Sequence, residues 1–290
     1  MQSDDRSPST QKFYEPLKAR FSRLAFGTAY ALQPKRIGLL PRLTIDTLTN
    51  AFRPIRNIEA LLQNKKFYRD EGYLGICNDV SAESILKAYR QGVYPVTHLG
   101  SMKWWSPAER AVLFFENAKV EKSVRRTVRQ DMFDVTFDRD FAAVLEACAR
   151  PRHGRLPLTW LTPRMMQVFW DLHLAGHAHS VEVWDLRPRL VGGIFGVVIG
   201  GVFFGESQFS NANNASKIAS LYLNRHLSHW GFTIRDAKSM TPYIASLGFQ
   251  NIPRAKFWQL LDSHLNEPRG PNRWEVDETL SVLKQNEARE

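Results

Sequence analysis

The residues in this sequence that could do chemistry at the edge of an apolar surface begin at Gly205-Glu206-Ser207. This triplet follows two apolar runs, residues 194–199 and 202–204, and places a carboxylate and a hydroxyl where a polar substrate group could be gripped. The alternative is a solvated turn glutamate beside glycines that only let strands pack closely. A helix read over residues 214–230 comes next. It opens with Ser216 and Lys217 beside free N–H groups, a place for a phosphate. A second basic set, Lys122, Arg125, Arg126 and Arg129, recurs at helical spacing and shares one face. Such a face fits a phosphate backbone, and equally a solvated helix surface. Lys103-Trp104-Trp105-Ser106-Pro107 sets two tryptophans side by side, so that one packs and one reaches out, against the alternative that both are core.

The elements that must hold these residues follow from periodicity and punctuation. Gly200-Gly201 between β-branched and aromatic runs signals a tight two-residue hairpin. With Val181 and Val183 upstream and a turn at residues 186–189, the region forms a three-stranded meander whose last strand ends at residues 205–207. Ser81 caps a helix through Gln91 that Gly92 terminates, with Ile85, Leu86, Ala88 and Tyr89 as its buried stripe. Residues 111–115 and 133–137 read as strands, and 123–129 and 141–149 as helices. Thr162-Pro163 opens a helix ended by Gly176. Residues 233–238 form a short strand, Thr241-Pro242 opens a short helix closed by Gly248, and Pro253 opens another through about Leu265. The polar tail carries a last helix over residues 277–284.

Composition narrows the class. The 290 residues, 43% hydrophobic and 12% aromatic, can bury a sizeable core. The longest charge-free stretch, residues 190–205, falls short of the ~18 residues a membrane span needs. The start of the chain shows no secretory signal pattern, and Cys77 and Cys148 are too few for a disulfide framework or a zinc site. A cytoplasmic, metal-free protein is expected. The formal net charge of +10 and pI near 9.7 favour a polyanionic partner, nucleic acid first. Residues 1–70 carry thirteen Lys/Arg against six Asp/Glu, a basic arm suited to RNA or to an anionic membrane.

Ordered along the chain are Gly72-Tyr-Leu-Gly, Asp79-Val-Ser, Ala88-Tyr-Arg-Gln-Gly-Val-Tyr-Pro, Trp104-Trp-Ser-Pro, Thr159-Trp, Gly176-His-Ala-His-Ser-Val-Glu-Val-Trp, Leu190-Val-Gly-Gly, Phe204-Gly-Glu-Ser-Gln-Phe-Ser, Asn214-Ala-Ser-Lys and Ala245-Ser-Leu-Gly. Together they resemble the leucyl/phenylalanyl-tRNA–protein transferase family over residues 72–265. The element order also resembles the GNAT acyltransferase architecture. The resemblance implies an α+β fold with a GNAT-like mixed sheet splayed at its centre. Residues 119–265 would form that domain, 71–118 a small N-terminal domain, 1–70 the basic N-terminal arm and 266–290 a polar tail. It implies transfer of leucine or phenylalanine from aminoacyl-tRNA to the N-terminal Arg or Lys of proteins, an N-degron step in protein degradation, by a monomer without metal or cofactor. It further implies that Glu206 and Ser207 lie at the reacting end and that Trp105 and Trp160 stack near the terminal adenosine. Ile194, Phe203, Leu223 and Leu227 would line the amino-acid pocket, and Asp236 would handle the proton.

The sequence departs from the family at four places. Lys238 stands for a glutamine, Arg235 and Ser220 for apolar pocket residues, and Gln208 for a methionine. Arg235 and Ser220 shift the expected donor preference toward a polar or acidic side chain. On a strand, Asp236 and Lys238 would project from the same face, either paired as ions or with a desolvated Lys238 accepting a proton. Two rivals stand beside this reading. A CoA-dependent acetyltransferase lacks its complete pyrophosphate loop here, since Arg189-x-x-Gly192-Gly193-Ile194 ends on a large residue. A non-enzymatic or divergent tRNA-binding relative would keep the charge without the chemistry.

Overall fold

The computed structural model describes residues 12–14, 21, 40–52, 55, 57–63, 72–96, 100–151, 158–266 and 269–283. In chain order its elements are α1 (Leu40–Phe52), α2 (Ile58–Leu62), β1 (Tyr73–Ile76), α3 (Ala82–Arg90), β2 (Tyr94–Pro95), β3 (Lys103–Trp105), β4 (Glu109–Phe114), α4 (Lys122–Arg129), β5 (Phe133–Phe137), α5 (Phe141–Ala149) and α6 (Pro163–Leu174). There follow β6 (Ala178–Asp185), β7 (Leu190–Ile199), β8 (Val202–Ser210), α7 (Ala215–His229), β9 (Ile234–Asp236), α8 (Pro242–Ser246), β10 (Gln250–Pro253) and α9 (Arg254–His264). The helix starts are where side-chain oxygens can satisfy orphan N–H groups. Ser81 accepts from Ser84, Thr162 from Met165 and Thr241 from Ile244.

A mixed seven-stranded sheet in the order β10-β4-β9-β8-β7-β6-β5 forms the body, with a three-stranded sheet β1-β3-β2 beside it. Although β4 precedes residue 118, it pairs with β9 and β10 in the larger sheet. Along the larger sheet only β8 and β9 run parallel, and they pair from Val202–Ile234 to Phe204–Asp236 and no further. β7 is buried along nearly its whole length because both faces are covered, which explains why its sequence is continuously apolar rather than alternating. Phe195, Val197 and Phe204 belong to the core layer shared with α3, α5 and α6. Ile194 and Phe203 belong to the layer under α7.

The hairpin expected at Gly200-Gly201 is a two-residue turn between Ile199 and Val202, with Gly200 at φ 55°. Trp104 is fully buried and donates its ring N–H to the Cys77 carbonyl at 2.8 Å, whereas Trp105 is only half-buried.

Three expectations change. The meander's last strand does not end at residues 205–207, because β8 runs on to Ser210. The strand expected over residues 233–238 stops at Asp236, since Lys238 has φ 66° and leaves extended geometry. Among the described residues of the tail there is no helix over 277–283, and Trp274 is buried, its ring stacked 4.0 Å from His179. Within the segment expected as a basic arm, most residues lie outside the described ones, but Phe13, Ile58, Leu61 and Leu62 are buried in the core. No helix among the described residues is long and apolar enough to cross a membrane.

Candidate active site

Glu206 owes its position to a bulge. In the β7–β8 ladder Phe195 faces Ser207 and Gly196 faces Gly205, so Glu206 is the extra residue. A bulge re-aims the side chain it carries, and here the carboxylate turns inward, with 1% of its side chain exposed. The solvated-turn alternative is thereby set aside. Tyr89, on the buried stripe of α3, donates its hydroxyl to Glu206 Oε1 at 2.9 Å. Lys238 Nζ closes on Glu206 Oε2 and donates to the Gly205 carbonyl at 3.0 Å. The ammonium also lies 5.5 and 5.4 Å from the ring centres of Tyr89 and Tyr94.

The ion pair expected between Asp236 and Lys238 is not the one formed. Asp236 is completely buried and is gripped by Arg110, whose Nε and Nη2 reach its two oxygens at 2.8 Å each. That guanidinium is itself buried, donates Nη1 to the Gly92 carbonyl at 2.9 Å and lies 4.7 Å from the Tyr94 and Phe257 ring centres. Asp236 meets Lys238 only through the backbone, accepting the Lys238 N–H at 2.9 Å. This contact holds the left-handed turn that sends the lysine back onto Glu206. Burial pushes the Glu206 carboxyl up and the Lys238 ammonium down, each opposed by the other's charge.

The family model described as leucyl/phenylalanyl-tRNA protein transferase matches residues 112–262, and the model of that family's N-terminal domain matches residues 78–108. The chain belongs to this family. A leucyl/phenylalanyl-tRNA–protein transferase of Azotobacter vinelandii is 45% identical over 205 residues, covering 70% of this chain and 90% of its own. A relative of the same name from Nitrosospira multiformis is 39% identical over 240 residues, covering 82% of this chain and 98% of its own. The chain is accordingly an aminoacyltransferase.

Within this member of the transferase family, the residues expected for the donor pocket are brought together. Ile194, Phe203, Leu223 and Leu227, each at most 1% exposed, share the core layer between the sheet and α7. Arg235 enters the same layer from β9 and donates Nη1 to Ser220 Oγ at 2.7 Å and Asn224 Oδ1 at 2.9 Å. Asp236, its neighbour, faces the other side of the sheet, so Glu206, Lys238 and Tyr89 are separated from Arg235 by the β8–β9 plane. Ser207 is half-buried opposite Phe195. Trp105 and Trp160 pack half-buried against the α3-side core, Trp105 beside Tyr73 at 5.2 Å and Trp160 edge-on to Phe169 at 5.8 Å.

The basic residues also converge. Val124 and Val128 turn inward from α4, which leaves Lys122, Arg126 and Arg129 exposed and Arg125 half-buried. α4 abuts the start of α7, where Asn214 donates to Thr127 at 3.1 Å and Lys217 pairs with Glu121 at 2.6 Å. Ser216 N–H is already engaged by Ser210 Oγ at 3.2 Å, so the exposed cations of this corner are those of α4. Sequence reasoning missed Tyr89 as a site residue and Arg110 altogether. Tyr89 was legible only as part of an apolar stripe. Arg110 had a signal, being a lone cation entering an apolar strand, a position arginine occupies only when paired.

Proposed function

We propose that the transfer runs from aminoacyl-tRNA to the N-terminal Arg or Lys of an acceptor protein, with Lys238 moving the proton. The buried triad of Tyr89, Glu206 and Lys238 carries this reading. The neutral α-amine of the acceptor attacks the ester carbonyl of the charged tRNA, a C–N bond forms, and the bond to the ribose oxygen breaks. One proton must leave the nitrogen and reach that oxygen. Lys238 in its neutral form accepts it and returns it to the leaving oxygen. Glu206, fixed by the Tyr89 hydroxyl, keeps the amine aimed. Asp236 and Arg110 act as a buried frame that sets the Lys238 turn.

The GNAT-like reading of the sheet belongs here too. It is supported by the parallel β8–β9 pair that separates after Phe204, just before the bulge. Trp105 and Trp160 offer aromatic faces for a terminal adenosine, and Lys122, Arg126 and Arg129 a surface for tRNA phosphates. The relatives are named for leucyl and phenylalanyl donors, which makes those charged tRNAs the starting point for assay, in a monomer working in the cytoplasm.

The test uses purified protein, a panel of charged tRNAs and a peptide beginning with Arg. Transfer should occur in the wild type and fall by about 10²- to 10⁴-fold in Lys238→Met while tRNA binding persists. Equal rates for the two proteins would remove Lys238 from the chemistry. Absence of transfer from every charged tRNA, with tRNA still bound, would instead make this a tRNA-binding relative without the activity.

A further inference from the structure

Arg235 is a buried cation whose charge no described residue answers. Its residue is 3% exposed, and its described partners are two neutral oxygens, both on Nη1. Among the described residues no carboxylate pairs with it. Nε is fully buried and has no hydrogen-bond partner, so the Nε–Nη2 edge, the one that grips a carboxylate bidentately, is unused. Arg110, one face of the sheet away, shows what that edge does when a carboxylate is present.

The surroundings are shaped rather than accidental. The Phe203 and Phe249 rings flank the guanidinium at 5.9 and 5.5 Å, while Ser220 and Asn224, one turn apart on α7, hold Nη1 and so fix which edge is free. A Cβ on Gly205 would lie 3.9 Å from Nε, and Gly205 is where β8 and β9 have just stopped pairing. The free edge therefore lies beside the splay in the sheet, whose other side carries Glu206. Isolated burial pushes Arg235 down to about 10, the direction expected of a cation that lacks its anion. A buried charge left without a partner is costly, and two aligned neutral acceptors do not supply the missing charge.

We infer that the donor pocket of this enzyme takes an amino acid with a side-chain carboxylate, aspartate or glutamate, held by the free edge of Arg235. This rests on the aminoacyl-transfer reading above and names its donor. Leucine or phenylalanine in the same place would bury its apolar chain against an unpaired guanidinium, and a site built to hydrogen-bond a ligand rejects the analogue that lacks the group far more strongly than an oily pocket rejects a change of size.

Wild-type enzyme is assayed with tRNAs charged with single radiolabelled amino acids and an Arg-starting peptide. Aspartyl or glutamyl transfer should exceed leucyl and phenylalanyl transfer by about 10²-fold or more. The double variant Arg235→Ile/Ser220→Leu should reverse the ranking. Calorimetry with stable 3′-amino-3′-deoxyadenosine amides of glutamate and leucine reads donor binding without turnover, and the glutamyl compound should bind the wild type more tightly. Leucyl or phenylalanyl preference in the wild type, in transfer or in binding, overturns the inference and leaves the transfer reading standing. Absence of transfer from any donor overturns that reading, while the binding ranking still decides the nature of the pocket.

Discussion

A charge taken out of water must be answered within hydrogen-bond reach, and of the neighbours Arg235 and Asp236, which face opposite sides of the sheet because side chains alternate along a strand, only Asp236 meets an opposite charge among the described residues. Asp236 receives a two-bond fork from Arg110, with both partners at most 2% exposed in their side chains. Removing one partner of such a pair strands the other, at a cost of about 3–5 kcal/mol. Arg110→Met should therefore lower unfolding stability by that amount in urea titrations. Arg110→Lys keeps the charge but not the planar fork, so it should fall between Arg110→Met and wild type; a lysine as good as arginine would show that the geometry is dispensable. The sequence named Asp236 as a site residue but neither its burial nor its partner, because Arg110 lies 126 positions away and a cation in an apolar strand signals that a partner exists without naming it. Lys238 was named as a site residue, and its geometry was misread. Its left-handed φ, unusual for a residue with a Cβ, turns its ammonium from Asp236 to Glu206.

Elements delimited by caps and turn glycines were the readable ones. The helix opened by Ser81, the helix opened by Thr162-Pro163, the Gly200-Gly201 hairpin and the strand Phe133–Phe137 all stand as the residue types require. The bulge in β8 was not readable, since it is defined by the register of a partner strand. It depends on Gly196: a Cβ there would come within 2.4 Å of the Phe203 ring and 2.5 Å of the Phe204 carbonyl oxygen. Gly196→Ala should cost about 1–3 kcal/mol of stability and move Glu206 away from Tyr89, so that transfer falls more than folding; unchanged activity in the folded variant would detach the bulge from the site. In β6, Glu182 is fully buried between Ser180 and Thr136, and burial raises its carboxyl from 4.5 to about 7. The folded chain then holds a proton that the unfolded chain gives up, so this group's contribution to stability is present below about pH 4.5 and is lost as pH rises to about 7. Glu182→Gln should match wild type near pH 4.5 and exceed it by about 2–3 kcal/mol above pH 7. A difference that does not change with pH would mean the carboxyl titrates alike in the folded and unfolded chains.

Over the whole molecule, the sheet separates two kinds of work. The α3 side carries Tyr89, Glu206 and Lys238, the triad proposed to handle the proton, with Tyr89 and the Gly92 carbonyl reaching from the N-terminal region into the larger sheet's site. The α7 side carries Arg235 and the expected donor pocket. The cations in both buried sites are turned inward and cannot release counterions, so a polyanion must meet exposed ones. α4 gathers three of them on one helix: its valines anchor it and its Lys122, Arg126 and Arg129 face solvent. Each phosphate contact made by such a side chain contributes roughly one unit to the slope of log K against log salt. The combined substitution of these three residues by Ala should thus flatten the slope for tRNA binding by about three units. It should weaken binding alike for every tRNA, because phosphate contacts position without reading sequence. Thermal stability should stay within about 0.5 kcal/mol of wild type, as expected for exposed positions. Filter binding over a range of potassium chloride concentrations measures the slope directly. If it stays at the wild-type value, α4 is a solvated helix face, and the phosphate contacts come from basic residues elsewhere, whether in the first seventy positions or among exposed ones such as Arg90, Arg164 and Lys256.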